Sequence, residues 1–439
     1  MHIGCGTRAV VVGSGIAGLA AAQALADHFE LVVVLERDEE PVDGQARQGV
    51  PQGRHPHLLL CGGMSALSTL FPGLDQDLRT AGAVPLDVGR DLQLEFPQLG
   101  ALPRRELGLA TFSMTRPLLE QALRRRILLR GNVEIRYGTR VIGILTSSDG
   151  RVAGVHHQEQ QGRYGTISAD LVVDASGRAA PTLDWLQANG MAVRQTTVRV
   201  DIGYATAVFA AASVPAAGFI GAATLADAPK SSRSGYVLQV EDGSWQVLLV
   251  GRGDDRPPAD PGRFIAFAQG LPTRTIADFL ASAGPPAQVS RFAFPKSVWR
   301  HFRGPARLPR GLLPIGDAIC RFNPVYGQGM SVAAQEAVLL RDLLEERAGS
   351  ADPLAGLTDP FLAGADRIIE TPWAVSTLPD FVYPQTRGKR PARLEQELQL
   401  QAAIRQRALV DPKTCRLLSE VHHLLKPLQA LRSAELAAA

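Results

Sequence analysis

Hydrophobic positions near the start of the chain fall in short dense runs rather than at every second residue. "RAVVVGSGIAGLAAAQALADHFELVVVLER" opens with a β-branched run ending at Val12, turns at glycines, continues as an Ala/Leu segment of helical length and closes in a second run from Leu31 to Leu35. Two wholly apolar runs joined in this way predict a βαβ unit whose strands are buried on both faces. Between Val133 and Asp174 the pattern shortens to alternating runs separated by turn signals, Ser148-Asp149-Gly150 and Gln161-Gly162. That predicts a small antiparallel meander feeding the strand in "ADLVVDASGR".

Alternation returns in two separate regions, Pro85 to Thr111 and Val198 to Val250, in segments such as "DLQLEF", "GYVLQV" and "SWQVLLV". They are expected to pair in one sheet, forming a second domain inserted into the first and followed by helices around Phe264 to Ala283. After Met330 the pattern is helical, broken by prolines at 353, 360, 372, 379, 384 and 391, and it ends in "RLEQELQLQAAIRQRAL" and "KTCRLLSEVHHLLKPLQAL". The expected architecture is α/β in three parts. A discontinuous first domain takes 1–84, 113–197 and 298–350, a β-sheet domain takes 85–112 and 198–297, and a helical region takes 351–439.

With 439 residues, 45% hydrophobic and 20% charged, the chain can bury cores for two or three domains. The formal charge is +3 and nearly all the basic charge is arginine, in no run long enough for a nucleic-acid surface. Cys5, Cys61, Cys320 and Cys415 form no CxxC pair and no metal spacing, which fits a reducing compartment and a cytoplasmic protein. No stretch approaches ~18 uninterrupted apolar residues, so no membrane span is expected. The pairs His156-His157 and His422-His423 are adjacent, and adjacent side chains diverge in a strand or a helix, so neither is expected to share a metal.

The chemistry is carried by glycines and acids. In "GSGIAG", Gly13 suits a tight turn, Gly15 lets backbone approach a pyrophosphate and Gly18 lets the helix pack on the strand, with Ala17 between them. Glu36, at the end of the second strand, stands where an acidic side chain accepts from a ribose diol. A second acid, Asp317, interrupts the apolar "LLPIGDAICRF", where an unpaired carboxylate would cost several kcal/mol, on the order of the penalty for a buried ion. A flavin dinucleotide offers that partner: Asp317 after Gly316 would accept from ribityl hydroxyls, and "NPVYGQGMS" would lay Pro324, Gly327, Gly329 and Met330 along the isoalloxazine. A helix beginning near Ser331 would direct its positive end at the reduced pyrimidine ring.

Together "GSGIAG…ER", "TRPLLEQAL", "DLVVDASGR" and "PIGDAICRFNPVYGQGMS" resemble the FAD-dependent monooxygenases of the aromatic-hydroxylase (group A) superfamily. Within it, "GVPQGRHPH" with "FNPVYGQGMS" looks most like the polyether-type polyketide epoxidase branch. The resemblance implies a Rossmann-like FAD domain of glutathione-reductase type, non-covalent FAD, and insertion of one oxygen atom from O2 through a flavin hydroperoxide into a small lipophilic natural-product precursor. It places Arg37 by the adenosine end, Arg54 by the pyrophosphate or flavin, Arg116 under the cofactor and Asp174 in the motif that serves both FAD and the pyridine nucleotide. In "DASGR" Ala175 follows Asp174 and Arg178 comes directly after Gly177, a departure from the superfamily's motif. The electron donor is therefore left open between NADPH, NADH and a separate flavin reductase. His55 and His57 alternate beside Arg54, and Cys61 and Cys320 fall near the motifs, but no catalytic side chain is assigned, since the chemistry is the cofactor's. The alternatives are a double-bond reductase or halogenase on the same fold and, in a different class, a lipid or prenyl carrier without redox work. The Trp-x-Trp-x-Ile-Pro signature of flavin halogenases is absent, with Trp185, Trp245, Trp299 and Trp373 isolated.

Overall fold

Val10, Val11, Val32, Val33 and Val34 are completely buried, as β-branched strands covered on both faces must be. In the computed structural model, which describes residues 4–42, 44–47, 49–177, 181–211, 218–304 and 307–436, they lie in a five-stranded parallel sheet. Its order is Leu312–Pro314, Leu171–Asp174, Gly6–Val12, Phe29–Leu35, Val133–Arg136. The outermost strand was expected in the meander. Its residues Val133 and Ile135 instead pair with Val32 and Val34, which extends the parallel sheet. The meander is made of Thr139–Thr146, Val152–Glu159 and Tyr164–Ser168, all antiparallel, and it closes one face of the parallel sheet through Val152, Val155 and Ile167.

The other face is covered by helices. Ile16–Leu25 buries every residue except Ala17, because an Ala-rich helix can press close to the strands on one side and to helix Gly329–Arg347 on the other. Helix Arg116–Leu128 is started by Thr115, whose hydroxyl accepts from the Leu118 N–H, and by a proline in the first turn.

The alternating segments form an eight-stranded sheet that joins the two distant regions: Leu92–Phe96 pairs in parallel with Gly221–Thr224. One face carries Ala205, Ala207, Val237, Val247 and Leu249 and is sealed by helices Pro261–Gln269 and Thr275–Ala283. The opposite face carries Tyr204, Leu248, Val250, Phe292 and Phe294 and meets the C-terminal region through Phe381 and Leu394. That region departs from expectation in one respect: helix Thr358–Asp380 runs through Pro360, Pro372 and Pro379. Pro360 lies in the first turn, where no N–H is required, and burial of Phe361, Leu362, Ala365 and Ile369 in the main core outweighs the penalty of about 3 kcal/mol for an interior proline. Among the described residues no helix is long and apolar enough to cross a membrane.

Candidate cofactor crevice and active site

Ligands of open α/β sheets lie outside the carboxyl ends of the strands, and here three turns converge at those ends. Gly13 follows the first strand with φ +98°, a left-handed conformation that favours glycine. A Cβ on Gly18 would overlap the Gly13 carbonyl, so helix and strand could not close with any other residue. Gly15 is different: a Cβ there would meet only the guanidinium nitrogens of Arg47, at 3.6 Å, and Arg116, at 3.8 Å. Gly15 is also the N-cap of helix Ile16–Leu25, which has neither a side-chain cap nor an acid in its first turn. An uncapped helix start faced by two arginines is an anion site.

The arginines are held by buried carboxylates. Arg47 Nη1 donates to Glu36 Oε2 at 2.8 Å and its Nε to Glu120 Oε2 at 3.0 Å, while Arg116 Nε donates to Glu120 Oε1 at 2.9 Å. Glu36 also accepts from the Ser14 N–H and hydroxyl, both at 2.8 Å, and from the Asp38 N–H at 3.0 Å. Burial alone would raise the Glu36 carboxyl, but Arg47 and these donors more than offset it and hold it below its usual range. Glu120 is likewise pulled down against burial by Arg116 and Arg47.

At the other end, Gly316 adopts φ +64° and packs so closely on the fingerprint helix that a Cβ would sit 2.9 Å from Ala17 Cβ. The two motifs, about 300 residues apart, therefore touch. Half-buried Asp317 stands between two backbone surfaces: Cβ atoms on Gly177 and Gly329 would meet it at only 3.5 and 3.6 Å. Gly327, at φ +66°, turns the chain into helix Gly329–Arg347, which begins two residues earlier than expected, again without a side-chain cap or an early acid. At this helix start Gln328 Oε1 and Ser331 Oγ are buried without partners. These orphaned groups, the two bare helix starts and the paired arginines fit a dinucleotide whose pyrophosphate would be held by Gly15 and whose ring system would be held along 323–330. Glu336, one helical turn and more inside, accepts the Gly316 N–H at 2.6 Å, has no partner for Oε1, and is pushed up to about 8 by burial.

The turn Asn323–Gly327 is tied to the second sheet. Tyr204 donates to Asn323 Oδ1 at 3.1 Å, Asn323 Nδ2 donates to both Asp380 oxygens at 3.2 and 3.1 Å, and Arg252 pairs with the same carboxylate. His55 bonds Thr206 Oγ1 at 2.7 Å and leans on Tyr204 and Phe292. Burial, reinforced by Arg54, pushes His55 down to about 4, and burial with Arg116 pushes His57 down to about 3, so both are neutral imidazoles at pH 7. Cys61 is pushed up to about 12 by burial, and Cys320 is also raised by burial, so both are thiols rather than nucleophiles.

Gly13, Gly15, Ala17, Gly18, Gly316, Asp317 and Gly329 thus come together at the strand ends, with Glu36 and Arg116 in the charged cluster beside Gly15, and Pro324, Gly327 and Met330 in the turn and helix start that follow. Arg37 is solvated, 55% exposed and 3.9 Å from Asp38, and Arg54 is exposed at the end of the turn Pro51–Arg54. Asp174 is fully buried, and its two oxygens accept from Ser176 and Thr182. It therefore reaches the crevice only through the loop it shapes. Arg178 lies outside the described residues. Sequence reasoning passed over Arg47 and Asp380. The only signal for Arg47 is the need of a buried Glu36 for a cation, and Asp380 offers none locally.

The family described as FAD binding domain matches residues 6–355, and the chain belongs to it: it is an FAD-dependent oxidoreductase of the aromatic-hydroxylase-type flavoprotein family. It is 36% identical to Protein Rv3254 of Mycobacterium tuberculosis (strain ATCC 25618 / H37Rv) over 77% of this chain and 73% of that one. It is 25% identical to Squalene monooxygenase 1,1 of Brassica napus over 80% of this chain, but spans only 63% of that protein's length. Among solved structures, the flavin-dependent brominase Bmp2 superposes with TM-score 0.69 at 15% identity, covering 99% of both chains. PqsL, a probable FAD-dependent monooxygenase from Pseudomonas aeruginosa, superposes with TM-score 0.64 at 18% identity, covering 86% of this chain and 97% of its own. These likenesses show the fold.

Proposed function

We propose that the protein inserts one oxygen atom from O2 into an electron-rich carbon–carbon double bond or ring of a lipophilic natural-product precursor, by epoxidation or hydroxylation, with NADPH or NADH as donor. The observation that carries this reading is the face of the eight-stranded sheet that adjoins Val325 of the flavin-side turn: Tyr236 and Phe292 on it are only half-covered, and Leu248 and the ring of Tyr204 are buried. FAD, when bound, supplies the reduction and activation of dioxygen. The chain's own residues supply a dry apolar wall, a helix start that stabilises negative charge on the ring, and a turn held in place by Asn323 and Asp380. His55 and His57 are neutral and already hydrogen-bonded, so the wall offers no evident base. An alkene attacks an electrophilic oxygen without deprotonation, whereas phenol hydroxylation benefits from a positioned base. Relatives named squalene monooxygenase and squalene epoxidase support a hydrocarbon-like substrate, and the epoxidase-like "GVPQGRHPH" points the same way.

The test is incubation of the purified protein with polyenes and aromatics, NADPH and labelled dioxygen. A product carrying one labelled oxygen is expected. A product that gains two hydrogens or a halogen places the protein with the double-bond reductases or halogenases, and a preparation lacking flavin places it with the carriers. Anaerobic mixing with NADPH should bleach the flavin directly, faster with substrate. Turnover only with an added flavin reductase overturns the direct route.

A further inference from the structure

Cross-strand register places Leu94, Ala223, Tyr236, Leu248 and Thr206 in one line across the eight-stranded sheet, so their side chains share the half-covered face. Phe96, two residues beyond Leu94, points to the same side. Over its ring, 5.8 Å from the centroid, stands the guanidinium of Arg405 from helix Leu394–Val410. Leu92, Leu94, Ala223, Tyr236 and Leu238 on this face are all half-buried.

Arg405 is itself half-buried, and its hydrogen bond goes to a neutral acceptor one turn back, Nη2 to Gln401 Oε1 at 3.2 Å. No carboxylate pairs with it among the described residues. Three arginines of the same helical region do have carboxylate partners: Arg407 meets Asp411 at 3.7 Å, Arg416 meets Glu420 at 3.2 Å and Arg432 meets Glu397 at 2.6 Å. Burial lowers the affinity of Arg405 for its proton, and the ionisable groups whose fields it shares are a phenol, Tyr326, and an imidazole, His422. His422 is pushed down to about 4 by burial and stays neutral at pH 7. A guanidinium drawn out of water beside an apolar wall, with no carboxylate paired to it among the described residues, is a fork for two oxygens of an anion.

We propose that Arg405 is a specificity-determining residue that binds an oxyanion head group, carboxylate or phosphate, on a lipophilic ligand lying against this face. The head group sits at Arg405 beside Phe96, and the hydrocarbon lies along Leu94, Tyr236 and Leu248. That this ligand is the substrate rests on the oxygenation reading above; the binding itself does not.

The test uses the flavin-loaded protein with no reductant, titrated with a long-chain unsaturated fatty acid, the alkenyl phosphate of the same length and the methyl ester of the acid, each followed by the shift of the flavin absorbance. The acid or the phosphate should bind at least about tenfold tighter than the ester, the range expected of a charge-assisted contact, and which of the two binds tighter identifies the head group. Arg405→Gln should bring acid, phosphate and ester within about twofold of one another while the ester's affinity is kept, and Arg407→Gln should leave the preference intact. Equal affinity of all three in the unaltered protein, including no detectable binding of any, overturns the proposal, as does a preference that survives Arg405→Gln. Failure to incorporate labelled oxygen, by contrast, overturns the reaction and leaves this binding result standing.

Discussion

The two ends of the cofactor crevice treat buried carboxylates in opposite ways. By the glycine loop, Glu36 and Glu120 are ionised, each held below its usual range by guanidiniums and N–H donors. By the flavin-side turn, Glu336 is equally buried but has one N–H and no cation, and burial pushes it up to about 8. The first end keeps its charges fixed, as holding a permanently anionic pyrophosphate would require. At the second, a protonated Glu336 adds no charge of its own beside the Asp317 carboxyl and the bare start of helix Gly329–Arg347.

Removing a charge from the first end should have the largest effect. Glu120→Ala leaves Arg116 without its carboxylate and Arg47 with Glu36 and Asp38 only, and the loss should be about 3–5 kcal/mol of unfolding free energy in denaturant titration. A loss under about 1 kcal/mol would mean the cluster is solvated rather than buried. Next comes Asp317→Ala, which removes an acceptor for the ribityl chain and should weaken FAD binding by about 1.5–3 kcal/mol, read from the dissociation constant. Unchanged affinity would move that contact elsewhere.

A subtler separation uses Gly15. The space beside it admits a Cβ in ordinary contact with the arginines, so Gly15→Ala should leave the apoprotein's melting temperature unchanged while FAD affinity falls about tenfold, roughly 1.4 kcal/mol, as the pyrophosphate loses its approach. A fall in apoprotein stability of similar size would show that the glycine serves the fold instead.

The effect that is smallest near pH 5, and the sharpest test of the contrast, is in pH. Glu336 keeps its proton in the folded protein to about 8, above its unfolded value, so its contribution to stability is lost as pH rises from about 5 toward 8. Glu336→Gln should change stability by less than about 1 kcal/mol near pH 5 and become relatively stabilising toward pH 8. Glu36 has the opposite sign. Its folded value is depressed, so its contribution is present above the unfolded carboxylate range and lost as pH falls, and Glu36→Gln should cost most at neutral pH. Parallel pH trends for the two variants would erase the distinction between the ends.

Much of this was legible where backbone geometry dictates residue type. Gly13, Gly316 and Gly327 stand at positive φ and Gly18 at a contact that admits no Cβ, and a carboxyl in an apolar strand-turn, Asp317, raised the question of a ligand. Alternation also sufficed to pair Leu92–Phe96 with a strand more than a hundred residues away. What escaped depends on three-dimensional neighbours. Arg47 is identified only by the carboxylates that fold around it, Asp174 turned its oxygens inward to Ser176 and Thr182, and helix Thr358–Asp380 overrode its prolines through burial. Arg405 is one arginine among many along a helix until its lack of a counter-ion is seen.

Asp380 lies beyond residues 6–355, the span matched to the family, yet its carboxylate holds the turn that the family's own motif provides. A chimaera that kept 6–355 and borrowed its C-terminal helices from a relative would bury Arg252 and Asn323 against a foreign surface. Modularity in this protein therefore ends short of the helical region, and recombination between relatives has to carry the helices along with the nucleotide fold.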